Sequence, residues 1–257
     1  MKSSYARYPS LANRVVLVTG GATGIGASIV AHFVDQAAKV AFLDVDRDAG
    51  EALASTLAGH GPGDPLFVAV DLCDIVALQT AIERVRSHFG PIGVLVNNAA
   101  NDHRHDMDSV SVATWDAGIA VNLRHQFFAA QAVAPDMRAR GAGSIINLGS
   151  VSWMLKQGGM PVYTTSKSAI QGLTRSLARD LGPHGIRVNT LVPGWVMTEK
   201  QLRMWVNETS SRQIDENQCL PTRLESADIA RMALFLAADD SQMISAQDFI
   251  VDGGWAH

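Results

Sequence analysis

Apolar, β-branched runs alternate with longer helix-like stretches along the whole chain, and this alternation constrains the fold more than any other feature. The runs fall at residues 15–18, 40–43, 66–70, 93–96, 144–148, 186–191 and 249–251. The helical patterns between them cover residues 25–37, 49–58, 75–89, 115–140 and 163–181. Strands that read as continuous apolar runs are buried on both faces, as in a parallel sheet covered by helices. The repeated strand–helix order predicts a doubly wound α/β fold, a seven-stranded parallel sheet with helices on both faces. No stretch of the 257 residues reads as a linker, an internal repeat or a low-complexity tract, so a single domain over residues 1–257 is expected.

Composition narrows the classes further. Apolar residues make up 47% of the chain and charged residues 18%, enough for a real core. A formal net charge of −4 gives no basic surface for nucleic acid. No run approaches the 18 apolar residues of a membrane helix, and residues 1–9 lack the continuous apolar stretch of a leader. Cys73 and Cys219 have neither CxxC nor metal-ligand spacing, which predicts two reduced thiols in a cytoplasmic protein. His103 and His105 have no third ligand at fitting spacing, so no metal is expected.

A glycine-rich turn follows the first run and opens a helical pattern. Its glycines are Gly20, Gly24 and Gly26, with Thr23 and Ile25 between them. Such a turn lets backbone approach a pyrophosphate, and the helix N-terminus supplies free N–H groups and partial positive charge. Asp44 ends the second run 18 residues after Gly26. A carboxylate there accepts hydrogen bonds from adenosine ribose hydroxyls and repels a 2′-phosphate, which predicts NAD in preference to NADP. Arg47 lies near enough in sequence to soften that preference. Asp71 and Leu72 end the third run, where an adenine edge fits. Asn98 and Ala99 end the fourth, small enough for backbone to reach a cofactor.

Tyr163 and Lys167 are four residues apart and share one helix face. A tyrosine acts as a base only near its phenolate form, and bringing a pKa of about 10 toward 7 takes about 4 kcal/mol of preferential stabilisation. A neighbouring ammonium and an oxidised nicotinamide are expected to provide it. Ser150, just past the fifth run, is placed to orient a substrate oxygen. Asn122 is a poor helix former inside a helical pattern and is expected to hold a water behind Lys167. Residues 195–221 break the strand–helix rhythm after the sixth run. A polar insertion at that sheet edge is expected to form a small substrate lid.

These residues together resemble the short-chain dehydrogenase/reductase family, of single-domain Rossmann type, over essentially the whole chain. The family's TGxxxGxG turn matches residues 19–26, its adenine-ring aspartate matches Asp71, and its NNAG segment matches residues 97–100 with Ala100 in place of glycine, which is expected to tighten that loop. The resemblance places the catalytic tetrad on Asn122, Ser150, Tyr163 and Lys167. It places Pro193, Gly194, Val196 and Thr198 against the nicotinamide, and it implies a homotetramer packed through the helices over residues 115–140 and 163–181. The segments around Asn101, Ser152, Trp153 and Gln218 are similar to the family's sugar 1-dehydrogenases. That narrower likeness implies NAD-dependent oxidation of an aldose such as D-xylose, L-arabinose or D-galactose at C1 to the lactone. Asn101, Ser150, Ser152, Trp153, Gln157, Tyr163 and Trp195 are the expected substrate contacts, since a polyhydroxylated ligand needs several donors and acceptors and an apolar face for its C–H surface. A 3-oxoacyl thioester reductase or cyclic alcohol dehydrogenase is the alternative, and Asp44 opposes the NADPH-linked form.

Overall fold

The computed structural model describes residues 5–256; residues 1–4, part of the stretch read for a leader, lie outside the described residues, as does His257. Its strands are β1 (Val15–Thr19), β2 (Lys39–Asp44), β3 (Leu66–Ala69), β4 (Val94–Asn97), β5 (Gly143–Leu148), β6 (Ile186–Pro193) and β7 (Asp248–Val251). They form one sheet in the order β3-β2-β1-β4-β5-β6-β7, every neighbouring pair parallel. The helices are α1 (Gly24–Asp35), α2 (Arg47–Leu57), α3 (Ile75–Phe89), α4 (Val112–Ile119), α5 (His125–Arg140), α6 (Pro161–Leu181), α7 (Glu199–Met204), α8 (Glu208–Asn217) and α9 (Ser226–Ala237).

Side chains alternate across each strand, so every strand feeds both faces. Val16, Val18, Val40 and Phe42 pack with Phe33 of α1 and Ala233 of α9 on one side. Val15, Leu17, Ala41 and Leu43 pack with Ile82 of α3, Val133 of α5 and Leu181 of α6 on the other. This is why the strands read as unbroken apolar runs. In α3 the buried positions Leu78, Ala81, Ile82 and Val85 recur at helical spacing. Helix starts are marked by side-chain caps: Asp46 accepts from Ala49 N at 3.0 Å, Asp74 from Ala77 N at 3.0 Å, and Ser111 from Thr114 N at 3.1 Å.

Two elements differ from the sequence reading. The helical pattern at 115–140 begins earlier, at Val112, and is broken by a π turn over Ala120–Arg124. Residues 195–221, read only as a polar insertion, hold two short helices, α7 and α8. Strand order reverses between β1 and β4, and at that reversal a crevice opens beyond the carboxyl ends of the strands.

Candidate active site

A cleft of about 980 Å³ occupies that crevice. At one end the chain passes from β1 into α1 through the glycine turn. Gly20 has φ +65°, and a Cβ there would stand 2.6 Å from the Cα of Ala99. A Cβ on Gly26 would stand 1.9 Å from the Gly20 carbonyl oxygen. Both positions therefore exclude any side chain. No side chain caps α1, and its first residues, Gly24, Ile25 and Gly26, border the cleft with their N–H groups free of helical partners. The Asp44 carboxylate is fixed by N–H groups of Ala22 (2.9 Å) and Asp46 (3.1 Å) and keeps lone pairs for a ligand. Arg47 instead faces Glu51 at 3.4 Å and does not border the cleft. Asp71 accepts from Cys73 N at 2.9 Å. The Asn98 amide donates to the carbonyls of Thr19 (3.1 Å) and Gly20 (2.7 Å), tying the end of β4 to the glycine turn. All the positions expected around a dinucleotide, from Gly20 to Thr198, border this cleft. Ala100 does so with φ outside the left-handed region, so its Cβ costs nothing there.

At the other end Tyr163 and Lys167 face one way from α6. The Lys167 Nζ lies 5.6 Å from the Tyr163 ring centroid and donates to the Leu148 carbonyl at 2.7 Å. Lys167 is only 2% exposed, and burial drives its pKa down to about 7, against a smaller upward pull from Asp102. Burial pushes the Tyr163 phenol up to about 12; a hydrogen bond with Ser150 pulls it down and the charge of Asp102 pushes it up. Without the cofactor's charge, then, burial sets the direction of the phenol's shift. The Ser150 Oγ accepts from Ser152 N at 3.1 Å, and its own O–H is turned toward the Tyr163 phenol, the contact that lowers the tyrosine's pKa.

Asn122, 2% exposed, sits in the π turn. Its amide donates to the carbonyls of Asn101 (3.1 Å) and Gly118 (3.0 Å), and its oxygen accepts from Asn101 N (2.8 Å). Both amide hydrogens are committed to backbone, so this side chain clasps the loop after β4. Beneath it, a polar chain crosses the core: Asn97 donates to Asn147 (2.9 Å), Asn147 to Thr174 (3.0 Å), and Thr190 to Thr174 (3.0 Å). These residues stand in otherwise apolar strands and in α6, the signal by which a sequence reader finds them. His125, fully buried after the π turn, is held neutral: burial, then the nearby Lys167, lower its pKa to about 3.

Ser152, Gln157 and Trp195 border the substrate end of the cleft as expected. Asn101 and Trp153 do not. The backbone of Asn101 is clasped by Asn122 and the residue is exposed, while Trp153 is half-buried in the short helical turn Val151–Trp153. Asp102, Gln201 and Trp255 border it instead. Trp195 donates to Gln201 Oε1 at 3.1 Å and stacks on Trp255, centroids 6.3 Å apart and planes at 26°. Trp255 is distant in sequence from the other motifs, and only its neighbourhood to Asp252-Gly253-Gly254 marks it. Among the described residues no group of His, Cys, Asp and Glu converges to hold a metal ion, and no helix is long and apolar enough to cross a membrane.

The parallel sheet order and the Tyr163–Lys167 pair over the end of β5 place the chain in the short-chain dehydrogenase/reductase family, an oxidoreductase family that binds a nicotinamide cofactor. The matching family model, described as enoyl-(acyl carrier protein) reductase, spans residues 20–256. Among its relatives are a probable galactose dehydrogenase of Rhizobium meliloti, 43% identical over 97% of each chain, and the D-xylose 1-dehydrogenase of Caulobacter vibrioides, 44% identical over 98% of this chain and 99% of that one. A solved short-chain dehydrogenase/reductase of Serratia marcescens superposes with a TM-score of 0.88 at 35% identity, covering 96% of this chain and all of that chain. A blue fluorescent protein from a metagenomic library, solved with NADPH, superposes at 0.86 with 34% identity, covering 96% of this chain and all of that one.

Proposed function

We propose that the protein oxidises an aldose at C1 to the lactone, with NAD as the preferred acceptor. One observation carries the substrate class: two relatives at 43% and 44% identity over nearly the full chain are a galactose and a D-xylose dehydrogenase. The polar side chains Ser150, Ser152 and Gln157 and the indole of Trp195 around the reaction centre support it.

The Gly20–Gly26 cradle, too tight for any side chain, and the free first-turn N–H groups of α1 fit a pyrophosphate. Asp44 and Asp71 fit the adenosine, and Pro193, Gly194, Val196 and Thr198 the nicotinamide end. When bound, the dinucleotide supplies the hydride acceptor and a positive ring charge. Ser150, beside the Tyr163 phenol, holds the anomeric oxygen through its hydroxyl. Tyr163 takes the proton from that oxygen as the hydride leaves C1. Lys167, anchored to Leu148, holds the ribose and stabilises the phenolate. Asn122 acts through the backbone it clasps, keeping the loop after β4 in register with Tyr163. NAD preference rests on Asp44, whose charge opposes a 2′-phosphate, and on Arg47 being turned onto Glu51. Residues 195–221 act as a lid through α7 and α8. Trp115 and Phe127, each 39% exposed, belong to the apolar faces through which the chain assembles as a homotetramer, and its two free cysteines accord with the cytoplasm.

The test is the reduction of NAD and of NADP against a panel of pentoses and hexoses, with a 3-hydroxyacyl thioester, the alcohol form of a 3-oxoacyl substrate, and a cyclic alcohol alongside. Turnover of at least one aldose with NAD is expected. Turnover confined to the thioester or the cyclic alcohol would overturn the sugar assignment.

A further inference from the structure

The carboxylate of Asp102 stands in the wall of the cleft, one residue past the loop position that Asn122 clasps. It is fixed from α7. Lys200 donates to Oδ1, and the Gln201 amide donates to Oδ2 at 2.8 Å. Gln201 is itself held by Trp195, through the 3.1 Å hydrogen bond to its Oε1. Burial pushes the Asp102 pKa up, but the two donors outweigh it and keep the group ionised.

An ionised carboxylate only accepts, and each oxygen takes two hydrogen bonds. Lys200 and Gln201 use one site on each oxygen and the residue's own backbone N–H bonds to the carboxylate as well, so of the four sites at least one remains for a ligand. The same cleft is lined by Ser152, a residue 3% exposed whose hydroxyl has no protein partner. The stacked indoles of Trp195 and Trp255 add an apolar platform. The charge of Asp102 is felt by both Tyr163 and Lys167, which places it at the reacting end of the cleft. An acyl chain or a steroid ring offers this wall no hydrogens to accept. A polyol offers a row of them, together with a C–H face for the indoles.

We propose that Asp102 is a specificity-determining residue, accepting hydroxyl hydrogens of a polyhydroxylated substrate while Lys200 and Gln201 hold it in place. This rests on the aldose reading and refines it. The experiment compares wild type with Asp102→Asn on D-xylose or D-galactose and on their monodeoxy analogues, together with NAD affinity by fluorescence titration. The substitution is expected to raise KM by about 10- to 100-fold, the worth of a charge-assisted hydrogen bond, with NAD affinity unchanged. In wild type at least one analogue suffers a similar loss, and in the variant that analogue loses nothing more. Should Asp102→Asn disturb folding, Asp102→Ser gives the same readout. If the losses from the substitution and from every missing hydroxyl simply multiply, Asp102 only latches α7 and the proposal is overturned. If wild type turns over no aldose, the substrate reading falls and takes this inference with it.

Discussion

Tyr163 and Lys167 are each held where burial opposes the charged form. Tyr163→Phe keeps the ring and removes the base, so kcat is expected to fall by about 10²- to 10⁴-fold while NAD affinity, read by fluorescence, is unchanged. The base must lose its proton before it can accept another. Since burial sets the phenol at about 12 before any cofactor charge acts on it, oxidation is expected to quicken with pH. Log kcat/KM should rise by about one unit per pH unit below an inflection lying under 12, and a flat profile would remove Tyr163 as the base. His125 gives a separate pH signature. Its folded pKa of about 3 lies below the unfolded value of 6.5, so the unfolded chain takes up a proton first as pH falls. Stability is therefore complete above pH 6.5 and is expected to drop by about 2 kcal/mol between pH 6.5 and 5, a drop that His125→Phe abolishes in urea titrations. The Tyr163–Lys167 spacing was legible in the sequence because one helical turn brings such residues together. The direction of the tyrosine shift was not, because desolvation depends on what closes over the phenol. Asp102 stands beside Asn101, in a segment similar to the sugar 1-dehydrogenases, and Trp255 beside Asp252-Gly253-Gly254, but that either side chain reaches the cleft comes from tertiary placement, which no local pattern shows.

The π turn at Ala120–Arg124 is the element the helical pattern at 115–140 concealed. Apolar spacing continues through it, and only Asn122, a residue that competes for backbone hydrogen bonds, marks the break. Asn122→Ala strands Asn101 N, Asn101 O and Gly118 O together. The expected cost is about 2–3 kcal/mol of stability in urea titrations, with kcat reduced as the loop after β4 loosens. Helix α3 shows the opposite case, where spacing and the Asp74 cap agree and residues 75–89 are the same in sequence and structure. The insertion at 195–221 stood out through its polarity. Its two helices did not, since α7 and α8 are short and mostly polar and draw their order from contacts such as Lys200 with Asp102.

Across the whole molecule, the strand runs were readable because a sheet covered on both faces leaves no polar positions to interrupt them. The order β3-β2-β1-β4-β5-β6-β7 is a matter of pairing between distant segments, which no local pattern in the sequence records. The cleft draws residues from Gly20 to Trp255, so ligand binding is coupled to the stability of the entire domain. NAD at about one hundred times its Kd is expected to add about 2.7 kcal/mol and raise Tm by about 5–10 °C, with a smaller rise for NADP at the same concentration in a thermal melt. The strap that Asn98 and Asn122 make, from the glycine turn through Asn101 to the π turn, has a consequence for anyone re-keying the coenzyme. Its grip points share a single stiff piece of backbone, so changes at Gly20 or Asn98 travel straight to the bond-breaking centre. Asp44 belongs to another strand, and its carboxylate is held by the N–H groups of Ala22 and Asp46. An engineer after the phosphorylated coenzyme should cut there, where the lock can be changed without moving the door.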